Sequence, residues 1–460
     1  MHPLKKLRLL LPALLLAAAG CDSALTTEPV TSIPSERQIV DAATAHASLI
    51  GAYDALQALS YYGRMLEVLG DLPTDNAQHS GTFQYLGEID RNAMHADNTA
   101  VTNVWAAIYD GILRVNLIID RVPALTDLAD AEKNQILGEA YALRALHYHN
   151  LVKLWGGVPL VLTPITSPAE AAKLTRATSD AVYAQIVSDL DKAATLVTNA
   201  SQRTQVSKLF VSALRARVLL YKGDYQGALD AADATLAGRD TLVVPFANLF
   251  TADGTPTSED IFRVAFTPQE YNEIGYYYLS AGRREVRPTT NLNAAFETGD
   301  LRKTLTVRPR SSTNSTLQGV KYPTTIGGED VHVIRLAEVV LIKAEALARL
   351  DQLAEAVDEY NKVRIRAGLP KHVLGVTLVP DLADPAATSV LDTKEEVIAA
   401  IIKERRLELA LEGDRWPDLV RTGTALAVLG PPADGSLELL FPIPQRERTV
   451  APLLEQNPGY

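Results

Sequence analysis

Two groups of tyrosines and one arginine carry the chemistry best suited to binding in this 460-residue chain. One group precedes an Asp-rich loop, and the other lies in a region rich in Pro and Gly. Aromatic rings stack against the apolar ring faces of sugars, while nearby polar side chains bind the hydroxyl groups. Three consecutive tyrosines cannot all face one core, so we expect at least one of them to be exposed. The candidate ligand-binding residues are Tyr61, Tyr62, Tyr276, Tyr277, Tyr278 and Arg283.

Packing is the alternative role for these tyrosines, because most Tyr rings in proteins are largely buried. The three tryptophans fit structural positions, with Trp105 on a helix stripe, Trp155 at a helix exit and Trp416 in a turn. Aromatic residues make up only 6% of the chain. This low content leaves a peptide or another solute open as the ligand beside a glycan.

Composition and motifs exclude several other functions. A net charge of −11 makes nucleic acid a poor partner. The chain has no Gly-x-Ser-x-Gly, no Walker loop, no Gly-x-Gly-x-x-Gly and no His-Glu-x-x-His. His147 and His149 are two positions apart, so a helix turns them to different faces, and they make a poor metal pair. We therefore expect a protein that is not an enzyme and that uses no metal and no cofactor.

The N-terminus has the features of an export signal. Three basic residues precede an apolar run over residues 9–19, which spans about 16 Å as a helix and is too short to cross a membrane. The only cysteine, Cys21, follows this run where the lipobox of bacterial lipoproteins has its lipidated cysteine. We expect residues 1–20 to be a lipoprotein signal peptide and Cys21 to carry the lipid anchor.

Apolar residues recur at helical spacing through much of the chain. Capping boxes and breakers mark where several of these helices begin and end. The predicted helices follow a capping box at Ser35–Gln38, run from about Thr99 to Pro123, cover roughly 130–155, 179–198, 205–221 and 225–237, and extend from a capping box at Thr393 and Glu396 to Gly413.

An internal repeat relates two predicted helix pairs. Residues 213–232 align without gaps with residues 341–360, and each segment has the pattern of a helix, a tight turn and a second helix. Small residues such as Ala216 and its counterpart Ala344 let antiparallel helices approach closely, as in tetratricopeptide units. The two units are far apart in the sequence, so other structure must lie between them.

Long segments rich in Pro, Gly, Thr, Ser and Asp supply that other structure, at about 240–330 and 366–392. They contain only short β-like runs, such as Ile261–Phe266 and Thr304–Val307. Loops of this length in a compact body are usually functional or disordered, and we favour a functional role. The charged residues between 404 and 418 predict paired salt bridges rather than an active site.

Motifs in a characteristic order point to a family. They are GDLPTDN at 70–76, EAYALRALHYHNLVKLWGGVPL at 139–160, RATSDAVYAQIVSDL at 176–190, IRLAEVVLIKAEAL at 334–347, IKERRLELALEGDRWPDLVRT at 402–422, and FPIP with a terminal QNPGY. Together, and behind Cys21, they resemble the SusD/RagB family of outer-membrane lipoproteins along essentially the whole mature chain.

The resemblance implies a mainly helical, SusD-like fold with four tetratricopeptide-type helix pairs packed against an irregular, loop-rich half with short strands. Residues 21–240 would form the N-terminal helical half, and 241–460 the C-terminal half with long loops and the last helix pair.

The resemblance also implies a function. The protein would bind a glycan, or in some members a peptide, at the surface of the outer membrane, as the lid of a SusC-like TonB-dependent transporter. Two other hypotheses stay open: an envelope scaffold that binds no solute, and a lipid-anchored hydrolase.

Overall fold

The computed structural model describes residues 38–165, 167–239, 241–375, 389–432 and 436–460. The predicted signal peptide and Cys21 lie outside the described residues. No helix in these ranges combines the length and the apolarity needed to cross a membrane.

Helices account for most of the regular structure. In chain order they are α1 (Ala42–Gln57), α2 (Met65–Asp71), α3 (Gln84–Asp90), α4 (Thr99–Arg121), α5 (Asp130–Trp155), α6 (Pro168–Ala171), α7 (Ser179–Leu196), α8 (Lys208–Lys222), α9 (Tyr225–Leu236), α10 (Ile274–Tyr278), α11 (Thr290–Ala295), α12 (Lys303–Thr306), α13 (Leu336–Arg349), α14 (Leu353–Arg366), α15 (Lys394–Glu408), α16 (Arg415–Arg421), α17 (Ala425–Leu429) and α18 (Gln445–Val450).

Eight of the long helices form a continuous row in which each packs on the next: α1, α4, α5, α7, α8, α9, α13 and α14. The row contains four packed helix pairs within the described residues, α1 with α4, α5 with α7, α8 with α9 and α13 with α14. This confirms the predicted mainly helical, SusD-like class. Helix α15 packs against α13 and α14 at one end of the row.

The internal repeat corresponds to the pairs α8–α9 and α13–α14, as predicted. Ala216 and Ala344 are fully buried at equivalent places in the two pairs. The turns also correspond, because Gly223 has a φ of 82° and its counterpart Asp351 has a φ of 64°. A left-handed residue ends each first helix and returns the chain for antiparallel packing.

Helix starts follow local signals closely. Asn98 accepts hydrogen bonds from the first amides of α4, and Thr393 with Glu396 forms the predicted capping box of α15. Helix α1 begins with a capping box formed by Asp41 and Thr44. Ser35, where the sequence predicts a capping box, lies outside the described residues.

Helix α15 ends at Glu408, five residues before the predicted stop at Gly413. The carbonyl oxygen of Glu408 accepts hydrogen bonds from Arg335 Nη2 at 2.7 Å and Lys321 Nζ at 3.1 Å. Side chains from other segments therefore occupy an acceptor that a further helical turn would need. Leu411, with a φ of 65°, takes the chain out of helical geometry.

The strands are short and pair in four two-stranded sheets within the described ranges. The pairs are β1 (Ala77–His79) with β3 (Val286–Pro288), β2 (Asp260–Val264) with β6 (Val331–Arg335), β4 (Val307–Ser311) with β5 (Asn314–Gly319), and β7 (His372–Leu374) with β8 (Ser389–Leu391). The β-like run at Ile261–Phe266 overlaps β2. The run at Thr304–Val307 was a wrong prediction, because Lys303–Thr306 is a helical turn and only Val307 begins a strand.

Buried ion pairs join α15 to the segment before α12, to the end of β6 and to the end of α14. Glu408 Oε1 lies 2.5 Å from Arg335 Nη1 and 2.5 Å from Arg366 Nη2, and its Oε2 lies 3.1 Å from Arg302 Nη1. All four side chains are almost completely excluded from solvent. Paired salt bridges are what the charged segment predicted, and we call this group the Glu408 cluster.

Removing the charge of Glu408 is expected to destabilise the protein strongly. Glu408→Gln removes the carboxylate that three buried arginines share, while each arginine keeps at least one further buried carboxylate. Removing one partner of a buried ion pair typically costs about 3–5 kcal/mol. Asp191→Asn is the matched control, since Asp191 pairs with Arg215 at the surface and the loss should stay near or below ~1 kcal/mol. Chemical denaturation of both variants measures the difference. Equal, small effects would show that the cluster does not hold the fold together.

Candidate ligand-binding surface

Strands β1 and β3 bring the Asp-rich loop and the tyrosine region together. Ala77 pairs with Pro288 and His79 with Val286 in antiparallel register. The contact continues beyond the strands, where the Ser80 amide donates to the carbonyl oxygen of Glu285 at 2.8 Å. The residues that follow β1 therefore lie beside those that precede β3.

An aromatic surface lies at this junction. The rings of Phe83 and Tyr85 stack with centroids 5.1 Å apart and planes inclined by 18°. The ring centroid of Tyr277 lies 6.5 Å from that of Phe83 and 6.4 Å from that of Tyr276. The guanidinium carbon of Arg283 lies 3.9 Å from the centroid of Phe83. We call these five residues the aromatic platform.

Glu285 holds the platform loop in place. Its carboxylate accepts hydrogen bonds from Arg283 Nε at 2.6 Å and from the amides of Thr82 and Phe83 at 2.9 and 3.1 Å. A Cβ atom at Gly81 would lie 2.0 Å from this carboxylate, so the loop requires glycine there. Burial acts to raise the pKa of Glu285, but the hydrogen bonds outweigh it and hold the pKa below its ordinary value.

Cationic side chains flank the rings on both sides. The side chain of Arg283 is 40% exposed, so part of its guanidinium can contact a ligand. Arg64 lies 4.3 Å from the centroid of Tyr277 and forms an ion pair with Glu273. Half-buried rings beside an exposed guanidinium offer stacking and hydrogen bonding together, which is the chemistry that a hydroxyl-rich ligand requires.

Tyr61 and Tyr62, two of the predicted ligand residues, lie in the core. Asn150 Nδ2 donates to both hydroxyl groups at 2.8 Å, and the Tyr61 hydroxyl lies 3.1 Å from His147 Nδ1. Both rings are buried and have no face toward solvent. The packing alternative therefore fits these two residues better than contact with a ligand.

The three consecutive tyrosines divide between core and surface. Tyr278 is buried and packs beside Gly319, where a Cβ atom would lie 3.0 Å from its ring. Tyr277 is 3% exposed and lies beneath Phe83 and Arg64. Tyr276 is half-buried and is the most accessible of the three. Tyr276 and Arg283 are thus the predicted residues that the structure leaves open to a ligand.

Phe83, Tyr85 and Arg64 were missed by the sequence analysis. Phe83 and Tyr85 lie a few residues after the Asp-rich loop. The available signal was the presence of two aromatic residues so close together and so near that loop. Arg64 carried no signal of its own, because its contact with Tyr277 joins segments that are distant in the sequence.

The Asp-rich loop itself is structural. Asp75 pairs with Arg415 at 2.8 Å and with Arg406 at 3.0 Å, and Asn76 Oδ1 accepts from Arg406 Nε at 2.8 Å. Gly70 lies so close to Gly413 that a Cβ atom would be 1.9 Å from its carbonyl oxygen. These contacts fix the loop against α15 and α16 and so set where β1 begins.

Comparisons with known proteins agree with this architecture. A family model described as "Starch-binding associating with outer membrane" matches residues 25–220, and one described as "SusD family" matches residues 297–436. SusD-like protein P38 of Formosa agariphila is 27% identical, covering 96% of this chain and 96% of its own length. SusD-like protein P2 of the same organism is also 27% identical, covering 99% and 100%.

Solved structures share the fold. A SusD superfamily protein from Bacteroides vulgatus has a TM-score of 0.79 at 20% identity, covering 91% of this chain and 99% of its own. A structure described as a laminarin-binding SusD-like protein has a TM-score of 0.78 at 26% identity, covering 92% and 100%.

The comparisons place the chain among the non-catalytic binding proteins of a family that is associated with the outer membrane. The chain belongs to the SusD/RagB family.

The two outer members of the tyrosine triplet should respond differently to truncation. Tyr278→Ala empties a buried ring site and should lower the free energy of unfolding by about 3–5 kcal/mol. Tyr276→Ala removes a half-buried ring and should cost about 1 kcal/mol or less. Urea denaturation of the two single variants checks this, and similar losses would mean that the triplet is wholly a packing element.

Proposed function

We propose that this protein binds a glycan on the aromatic platform and passes it, at the cell surface, to a SusC-like TonB-dependent transporter. The stacked pair of Phe83 and Tyr85 beside the exposed guanidinium of Arg283 is the observation that carries the proposal. Flat rings beside a multiple hydrogen-bond donor suit the C–H faces and hydroxyl groups of a sugar. Support also comes from the starch-binding description of the family model and from the laminarin-binding relative.

Binding to immobilised polysaccharides tests the ligand. Mature protein should be retained by at least one member of a panel that includes laminarin and starch. Phe83→Ala should weaken that binding by about two- to tenfold, since ring contacts of this kind contribute roughly 0.5–1.5 kcal/mol.

The control is Tyr225→Ala on α9, another half-buried ring beside a guanidinium, with the Arg349 carbon 5.6 Å from its centroid. It should leave binding unchanged. If the wild type ignores every glycan and binds peptides from a matched library instead, the glycan part of the proposal is wrong. If Phe83→Ala binds as well as the wild type, the platform is not the site.

The membrane part of the proposal has two elements, a lipid on Cys21 and a transporter beneath the protein. The position of Cys21 after a short apolar run supports the anchor. The row of eight helices supplies a rigid face, and we propose that this face makes much of the contact with the transporter, while the platform faces the ligand. An interface that persists through transport cycles should bury on the order of 2,000 Å² or more.

Extraction of the tagged protein from its native host in mild detergent tests both elements. Wild type should bring down a barrel protein of roughly twice the mass of this chain, a size that the family resemblance implies. In a strain without that transporter, Cys21→Ser should move the protein into the soluble fraction with its fold intact. Membrane retention of that variant after a high-salt wash would contradict the lipid anchor, and repeated recovery of the wild-type protein alone would favour the scaffold hypothesis.

A further inference from the structure

A second depression lies along α1, apart from the platform. Its main chamber has a volume of about 330 Å³ and lies between α1, α4 and the segment that follows β2. An adjoining chamber of about 270 Å³ shares Asp54, Gln57 and Glu270 with it. We call the two chambers together the α1 cleft.

The α1 cleft combines an apolar floor with an exposed ring. Ala55, Ala58 and Phe266 contribute to its floor, and Tyr271 lies at its edge. Tyr271 is 37% exposed and is the one aromatic residue among the large hydrophobic side chains of the described ranges that are more than a third exposed. A ring with this exposure is available to stack on a ligand.

The polar rim is held in fixed positions. Arg114 Nη1 donates to Asp54 Oδ2 at 2.8 Å and to the carbonyl oxygen of Gly51 at 2.6 Å. Its Nε donates to Asp110 Oδ2 at 2.9 Å. Gln57 Nε2 donates to the carbonyl oxygen of Ala265 at 2.7 Å, which joins α1 to the opposite wall. Carboxylates have more acceptor positions than one guanidinium fills, so Asp54 and Asp110 retain capacity to accept from sugar hydroxyls.

The backbone that carries Tyr271 is also fixed. The next residue, Asn272, is fully buried, and its amide donates to the carbonyl oxygen of Gly327 at 2.8 Å. Its side chain donates to the carbonyl oxygen of Glu329 at 2.9 Å. The backbone next to Tyr271 is therefore ordered before a ligand arrives, which lowers the entropic cost of binding.

Two chain segments connect the cleft to the platform. Ala58 and Leu59 line the cleft, and Arg64 in the same turn contacts Tyr277 of the platform. Tyr271 and Tyr277 are six residues apart, a separation that spans about 9–20 Å between helical and extended backbone. The pair Arg64–Glu273 lies between the two features. A ligand that reaches both must be a chain of several sugar units.

We propose that the α1 cleft is a second sugar subsite, occupied together with the platform by a single glycan chain. This inference rests on the proposed function, since it takes the platform as the first subsite. Tyr271 stacks on one sugar unit, and the carboxylates of Asp54 and Asp110 accept hydrogen bonds from its hydroxyl groups. Joining two subsites through one ligand makes the second contact intramolecular, so affinity rises with chain length.

Calorimetric titration with glycan fragments of graded length tests this subsite. The probes are oligosaccharides prepared from laminarin and from starch, from the disaccharide to the octasaccharide, and the protein is the full mature chain. Wild-type affinity should rise along at least one series. Tyr271→Ala should bind the longest fragments of that series about two- to tenfold more weakly and the disaccharide unchanged. Tyr271→Phe keeps the ring and should retain the gain with length, and Tyr225→Ala controls for loss of a surface ring elsewhere.

The outcomes separate the two proposals. If Tyr271→Ala matches the wild type at every length while Phe83→Ala weakens binding, the second subsite is wrong and the platform stands. If Tyr271→Ala weakens the disaccharide as much as the octasaccharide, the cleft is not a separate second subsite. If no fragment binds the wild type, the glycan function and the subsite both fail.

Discussion

Three buried arginines balance the negative charge of the Glu408 carboxylate. The positions of the segments that carry these arginines depend on this interaction. Arg302 precedes α12, Arg335 ends β6 and Arg366 ends α14, so three segments distant in the sequence must converge on one side chain. Burial acts to raise the pKa of Glu408, but the arginines hold it well below its ordinary value. Because a buried charge without its partners is costly, loops with little regular structure can still be held in one arrangement.

The same helix also determines where the aromatic platform lies. Arg406, on α15 close to Glu408, binds Asn76 and Asp75, and the carbonyl oxygen of Asn76 accepts from the amide of Thr289 at 3.0 Å. These contacts fix the end of the β1–β3 pairing at Ala77 and Pro288, and the residues of the platform extend from its other end. A few side-chain hydrogen bonds and one short sheet therefore connect the helix that carries Glu408 to the half-buried rings of the platform.

Local signals were sufficient to predict most of the helices, and contacts between distant segments explain the errors. The capping box at Thr393 and the turn at Gly223 act over a few residues, so they can be recognised in one sequence. The burial of Tyr61 depends on Asn150, which is 89 positions away, and no periodicity near Tyr61 indicates it. The end of α15 depends in the same way on Arg335, and Phe83 belongs to the platform because of its contact with Arg283. Tyr276 and Arg283 were proposed from local sequence alone, because three consecutive tyrosines cannot all face one core and an arginine follows them closely.

Side-chain ion pairs hold the Glu408 cluster, and backbone hydrogen bonds hold the platform loop. This difference suggests how a family can keep one fold while its ligands differ. The ion pairs of the Glu408 cluster depend on the charge of each side chain, so replacing any member unbalances charges that are buried away from water. The platform loop is held largely by the amides of Thr82 and Phe83 on Glu285, and a backbone amide donates in the same way whatever its side chain. Side chains at positions such as 83 can therefore change the chemistry offered to a ligand without loosening the loop.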